Sequence, residues 1–218
     1  MKLVRVADDI FQLSLLPRGG INAYLVGDVL VDAGLGIHGR GIAKAVSGRA
    51  VSAHVLTHAH GDHVGGSKTV SDALGVPVWC GAGDSEAVRA GKVVAASRVQ
   101  ALFNWKPVQV ARELSEGEEL GPGFTVLDTP GHSPGHIALW RESDRTLLCG
   151  DVFLNLNFYT TVPGLNEPPR LFTVDPAANR TAARRLAELE PALVLFGHGK
   201  PLRDPAKLMA FAHTLANS

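Results

Sequence analysis

The chain has 218 residues, 45% of them hydrophobic and 19% charged, which suffices for one sizeable core and excludes a disordered or collagen-like polymer. Lys plus Arg and Asp plus Glu both number 21, so no net field draws the protein to nucleic acid or to an anionic membrane surface. The start "MKLVRVADDIFQL" lacks the apolar segment and cleavage site of a signal peptide, and no run approaches the roughly 18 apolar residues of a membrane span, so a single cytoplasmic domain over residues 1–218 is expected.

In chain order, "VRVADDIFQLSL", "INAYLVG" and "VLVDAG" read as strands of a meander, punctuated by Gly19-Gly20 and Gly27-Asp28. Residues 37–47 then carry a helical pattern, "VSAHVLT" is a buried strand, and residues 66–74 form a second helix closed by Gly75. "VPVWCG" is a strand and residues 84–90 a short helix, followed by three strands in "GFTVLDTP", "HIALWRE" and "TLLCGD". Asp175 followed by Pro176 marks a helix start, with Ala182, Leu186 and Leu189 as its apolar stripe, before the strand "ALVLFG" and a last helix from Asp204 to Leu215. Two strand-rich halves that each carry helices predict an α/β (α+β) fold of four αββα layers, two mixed sheets face to face with helices outside. Cys80 and Cys149 lie in apolar runs and read as buried thiols. Residues 152–175 are too long for a simple connection and too apolar for a tail, which suggests a lid or binding loop.

Four of the strand-like runs end in a residue able to bind metal: "AHVLT" in His58, "FTVLDTPG" in His132, "TLLCG" in Asp151 and "ALVLFG" in His198. In the extended stretch "THAHGDHVGG", alternate side chains share a side, so His58 and His60 can grip one ion. Asp62 and His63 follow the bend at Gly61 and address a second. Five histidines and two carboxylates exceed the four ligands of a structural zinc and suit two open ions. Asp151 is the bridge, because a carboxylate can bind both ions and an imidazole nitrogen only one. Imidazole and carboxylate without thiolate fit two divalent ions, zinc foremost, with iron or manganese as the other choices.

These residues resemble the His-x-His-x-Asp-His signature of the metallo-β-lactamase superfamily. The likeness extends to "INAYLVGDVLVDAG" for the family's early hairpin, "DTPGHSPGH" for its next histidine motif, "LLCGD" for its bridging aspartate and "LFGHG" for its last histidine. The resemblance implies that His58, His60 and His132 hold one metal, Asp62, His63 and His198 the other, and Asp151 both. It also implies that Asp32 supports the metal-binding loop through hydrogen bonds, as metal ligands commonly require. His136 opens a strand instead of ending one, so it reads as a supporting residue. His38, His54 and His213 receive no role.

Two cations close together make hydroxide available at neutral pH. The implied chemistry is therefore hydrolysis by a metal-bridging hydroxide, with Asp62 able to pass a proton to the leaving group. Asn155, Asn157, Phe158, Tyr159 and Arg170 are candidates to bind substrate, with residues 17–22 as an opposing rim. Their apolar share points to a small ester, thioester or lactone. Phe158 and Tyr159 could equally pin the loop or form a homodimer contact. Thioesterases of the glyoxalase II type carry a further helical domain, whereas here the sequence ends about 20 residues after His198; quorum-quenching lactonases carry a tyrosine where Leu154 stands. Nucleases of the family need a basic surface or RNA-binding arm, and secreted β-lactamases a signal peptide. The rival class is a persulfide-dioxygenase-type enzyme with one iron on His58, His132 and Asp151; a metal-binding scaffold without catalysis is disfavoured by the full ligand set.

Overall fold

The computed structural model describes residues 1–215. Its first sheet follows chain order: β1 (Leu3–Ala7), β2 (Ile10–Ser14), β3 (Asn22–Val26), β4 (Val29–Val31), β5 (Ala53–Leu56), β6 (Val78–Gly81) and β7 (Val110–Leu114). The first four strands are antiparallel, as expected of a meander, and the last four run parallel. The second sheet joins β8 (Glu119–Leu120), β9 (Phe124–Asp128), β10 (Ile137–Arg141), β11 (Thr146–Leu148) and β14 (Leu193–Leu195) in the spatial order β14-β11-β10-β9-β8, with β14 parallel to β11.

Side-chain alternation produces the layers, because successive residues of a strand face opposite sides. In β4, Val29 and Val31 join the core between the sheets while Leu30 turns to the outer helices. In β10, Ile137 and Leu139 enter the inter-sheet core, and Ala138 and Trp140 face outward. Helices α1 (Gly39–Val46) and α3 (Ser67–Leu74) cover the first sheet through Ile42, Val46 and Val70, and α4 (Ser85–Ala90) adds Ala87 and Val88. Helices α5 (Pro176–Glu188) and α6 (Pro205–Thr214) cover the second with Ala183, Leu186, Leu208 and Ala212. The result is the four-layer αββα sandwich.

Helix starts behave as their residues dictate. Asp175 accepts from the backbone N–H of Ala177 and Ala178, both at 3.0 Å, with Pro176 at the first helical position. Asp204 likewise accepts from the Lys207 N–H. Three features depart from the sequence reading. β7 and β8 were not anticipated, because the edge stretch at Ala111, Arg112 and Glu113 is solvent-facing and charged, which blunts a sheet edge and hides its hydrophobic alternation. Residues 152–175 are not one open loop: they contain the hairpin of β12 (Leu154–Leu156) and β13 (Pro163–Asn166). Residues 61–64 form a single helical turn, α2 (Gly61–Val64), not a mere bend.

Candidate metal centre

All seven expected ligands lie along one rim of the sandwich, five of them just beyond strand ends and Asp62 and His63 in the turn α2. His58 and His60 follow β5, His132 lies in the turn after β9, Asp151 follows β11 and His198 follows β14. His60 is extended (φ −117°, ψ 150°) and its carbonyl receives the N–H of His63 and Val64, so helical backbone begins at Gly61. That switch sends Asp62 and His63 away from the His58–His60 pair. Three groups have ligand atoms within 4.8 Å of one another: His58, His60 and His132; His58, His63 and Asp151; and Asp62, His63 and His198. Oδ2 of Asp151 lies 3.0 Å from Nε2 of His198, 3.5 Å from Nε2 of His63 and 3.6 Å from Nε2 of His132, between the first and last groups. Gly197 makes this approach possible, since a Cβ there would fall 2.1 Å from Oδ1 of Asp151.

The donors fit a pair of cations. Nε2 of His58, His63 and His132 and Oδ1 of Asp151 are buried without a hydrogen-bond partner, an arrangement that is costly unless something satisfies the lone pairs. Burial, with repulsion from neighbouring histidines, holds His58 and His132 well below the usual imidazole range, and burial brings His60 down to about 4. Those rings are neutral at pH 7, as a metal ligand must be. Burial opposes charge at His198 too, but Asp151 and Asp62 lift its pKa to about 10. His63 is raised against burial by Asp151, Asp32 and Asp62. Burial would favour the protonated acids at Asp62 and Asp151, yet His63 and His198 hold both carboxyls below their ordinary range. Two carboxylates and five imidazoles therefore converge on one place, the donor set that divalent ions such as zinc or iron accept.

Neighbours fix the ligand orientations. Oδ1 of Asp32 accepts from the Thr57 N–H, and its Oδ2 from the Thr57 hydroxyl and Nδ1 of His63, each at 2.8 Å. Asp32 holds this position at φ 59°, a left-handed conformation that aspartate tolerates better than most residues. His136 spends both nitrogens: Nδ1 lies 2.7 Å from the Thr129 hydroxyl, and Nε2 accepts from the Asp151 N–H at 3.1 Å. It orients the aspartate backbone and has no lone pair left for an ion. Nδ1 of His132 meets the Thr173 hydroxyl at 3.2 Å, and Nδ1 of His198 donates to the Gly20 carbonyl. Gln100 was not anticipated: it is buried and its amide lies 2.8 Å from Nε2 of His60, leaving Nδ1 as the free nitrogen of that ring. Nothing in the irregular stretch around it sets that glutamine apart.

The cluster forms the floor of a cavity of about 890 Å³. Leu16, Ile21, Phe103, Trp105, Phe158 and Phe172 contribute its walls. Phe158 lies 5.3 Å from Phe172 and 6.0 Å from His198, and Phe103 lies 6.3 Å from Phe172, ring centre to ring centre. An aromatic arc thus runs from the outer wall to a ligand. Among the described lining residues Lys106 is the only lysine or arginine.

Of the five residues expected to meet substrate, only Phe158 lines the cavity. Asn155 donates to the Lys200 carbonyl, and the Asn157 side chain accepts from the N–H of Tyr159 and Thr160 as the hub of a turn. Tyr159 is 70% exposed and Arg170 is exposed, both outside the lining. Their polar or amphipathic character suggested contact, but Asn157 shapes the β12–β13 turn, Asn155 ties β12 to the loop after β14, and Tyr159 and Arg170 face outward. Within the expected opposite rim, Gly20 and Ile21 do line the cavity. His54 is held inside the first sheet by the Leu30 carbonyl and the Ser67 hydroxyl.

Comparison with known proteins agrees with the geometry. A family model described as the metallo-beta-lactamase superfamily matches residues 16–198. The chain is 27% and 29% identical to two probable metallo-hydrolases of Bacillus subtilis, with matches over 68% and 80% of this chain and 64% and 76% of theirs. It is 38% identical to a hydroxyacylglutathione hydrolase of Methylococcus capsulatus, over 47% of this chain and 34% of that one. An N-acyl homoserine lactonase of Bacillus thuringiensis is 27% identical over 66% of this chain and 54% of its own. A crystal structure in a di-iron-bound form is 34% identical, with a TM-score of 0.66 over 88% of this chain and 94% of that one. The subclass B3 metallo-beta-lactamase of Bradyrhizobium japonicum shares the fold, with a TM-score of 0.74 at 20% identity over 100% of this chain and 91% of its own.

Proposed function

The chain belongs to the metallo-β-lactamase superfamily, and from that premise we propose that it is a two-metal hydrolase of uncharged esters, thioesters or lactones with an apolar acyl or aryl group. The observation that carries this reading is the two ligand groups, His58/His60/His132 and Asp62/His63/His198, sharing Asp151 at the floor of an apolar-walled cavity. When bound there, two divalent cations, zinc foremost, would lower the pKa of a shared water and polarise a carbonyl. Iron is the alternative supported by the di-iron relative.

The remaining work falls to the chain itself. The aromatic arc of Phe103, Phe172 and Phe158 excludes water and packs the apolar half of a substrate against the floor. Asp62, whose side chain is 28% exposed while that of Asp151 is 6% exposed, is the carboxylate nearer the open cavity; His63 and His198 keep it ionised, so it would act as a relay that takes up a proton and passes it to a leaving alcohol or thiol. A glutathione thioester carries carboxylates of its own, and one wall cation, Lys106, gives them little to pair with. The second ligand group supports two ions over a single iron on His58, His132 and Asp151. Unpaired, buried Cys80 and Cys149 support the reducing cytoplasm as the compartment. Among the described residues no helix is long and apolar enough to cross a membrane.

Stripping the protein with chelator and assaying aryl esters, acyl thioesters, lactones and phosphodiesters tests the reading. Carboxylic ester or lactone turnover should vanish with the metal and return on adding zinc. Activity that persists after stripping, or a preference for phosphodiesters, would overturn it.

A further inference from the structure

Asp84 stands immediately before α4, where an aspartate side chain ordinarily accepts from the first backbone N–H groups. Its side chain does not cap that helix. It is fully buried and points across the sandwich instead. Oδ2 accepts the backbone N–H of Ala59 at 2.7 Å and the Ser133 hydroxyl at 2.6 Å, and Oδ1 accepts the Gly135 N–H at 2.7 Å. Ala59 separates His58 from His60, and Ser133 follows His132. The two backbones also touch: a Cβ on Gly135 would stand 2.1 Å from the Asp84 nitrogen.

Burying a carboxylate costs several kcal/mol even where hydrogen bonds compensate it. Here burial raises the carboxyl above its ordinary 3.8 while the three donors pull it back. A group held at that cost between two ligand-bearing loops specifies their relative placement. Asp32 serves the other side, through Thr57 and His63. Neither Asp62, His63 nor His198 bonds to Asp84.

We propose that Asp84 is a positioning residue for one of the two metal sites, a buried brace that sets the spacing between the His58–His60 pincer and His132. The inference rests on reading those histidines as ligands. It predicts a selective defect: loss of the brace weakens the all-histidine site and spares the one built from Asp62, His63 and His198. Asp84→Asn is the sharp variant, since a carboxamide cannot accept on both sides and leaves its NH2 facing a buried donor. Ser133→Ala removes one bond and is the milder variant.

Stripped wild type, D84N, S133A and H198A, each checked for folding by circular dichroism, are titrated with zinc against a competing chelator, and with cobalt(II) for the absorption of each site. The expected result is two ions in wild type, one of them bound about 10- to 100-fold more weakly in D84N. S133A should weaken the same ion by less, and H198A should weaken the other ion. Two ions bound by D84N with wild-type affinities, or equal weakening of both, would overturn the proposal. Hydrogen exchange of the Ala59 and Gly135 amides in chelator separates two kinds of failure. Unchanged rates in D84N sink the brace itself; faster rates alongside a wild type that takes up no ion sink the metal reading, and this inference with it.

Discussion

Replacing Asp32 with asparagine should destabilise the protein far more than one exchanged oxygen suggests. The carboxylate accepts three hydrogen bonds at 2.8 Å, one on Oδ1 and two on Oδ2, and is 3% exposed. Asparagine tolerates the φ of 59°, so backbone strain is not the issue. Its carbonyl oxygen can occupy only one side. Placed towards His63, it leaves the Thr57 N–H facing an NH2; turned the other way, the Thr57 hydroxyl can reverse and accept, but Nδ1–H of His63 is then stranded. One buried donor is lost either way, at about 1–3 kcal/mol, or roughly 2–12 °C in Tm for a chain of this size. Asp32→Ala loses all three bonds and adds about 1 kcal/mol of left-handed strain, so it should be clearly worse. Urea denaturation in the presence of chelator measures this without any metal contribution. A D32N midpoint corresponding to a loss of under about 0.5 kcal/mol would refute the donor-counting argument.

Other consequences follow from the packing and the walls. Phe153→Ala empties a fully buried ring site between the second sheet and its helices and should cost about 3–5 kcal/mol by denaturant titration. Arg141 bonds both Asp9 and Asp144 and covers the Phe124 ring; Arg141→Leu should cost about 1–2 kcal/mol, the lower range because both acids are partly exposed. Arg141 holds the Asp144 carboxyl below its ordinary 3.8. That contribution is present above the unfolded value and fades as pH falls through the lower folded one, so the gap between wild type and R141L should be full near neutrality and shrink below about pH 4 in melting experiments. Phe103→Ala trims a wall residue that is 54% exposed, and should raise KM for long-acyl esters several-fold while Tm barely moves. An unchanged KM would remove Phe103 from the binding wall.

The convergence of the seven side chains was readable because most of them stand just beyond strand ends. His58, His132, Asp151 and His198 each follow a short apolar run, and the grouping of such runs into two strand-rich halves with helices also predicted the layers. The missing parts carry no such mark. Asp84 opens the stretch expected to be a short helix and has no ligand-like neighbour in sequence, and only the fold shows its carboxylate turned towards Ala59 and Ser133. Gln100 meets His60 from 40 positions away, out of a segment with little regular structure. Four of the five candidate substrate residues lie outside the cavity lining for a related reason. Asn157 and Asn155 are polar in an apolar stretch, which looks like function, but Asn157 completes the hydrogen bonds of the hairpin turn and Asn155 satisfies the Lys200 carbonyl in the loop after β14. The aromatic wall residues Phe103 and Trp105 come from a different part of the chain, brought to the cavity by the connection between α4 and β7.

Metal content per chain, measured by elemental analysis on protein purified without added metal and repeated for His60→Ala and His198→Ala, bears most directly on the account. Two ions in the wild type and one in each variant is the predicted result, with ester hydrolysis lost in both. A single iron accompanied by oxygen uptake, or a wild type that hydrolyses esters with no metal bound, would contradict it.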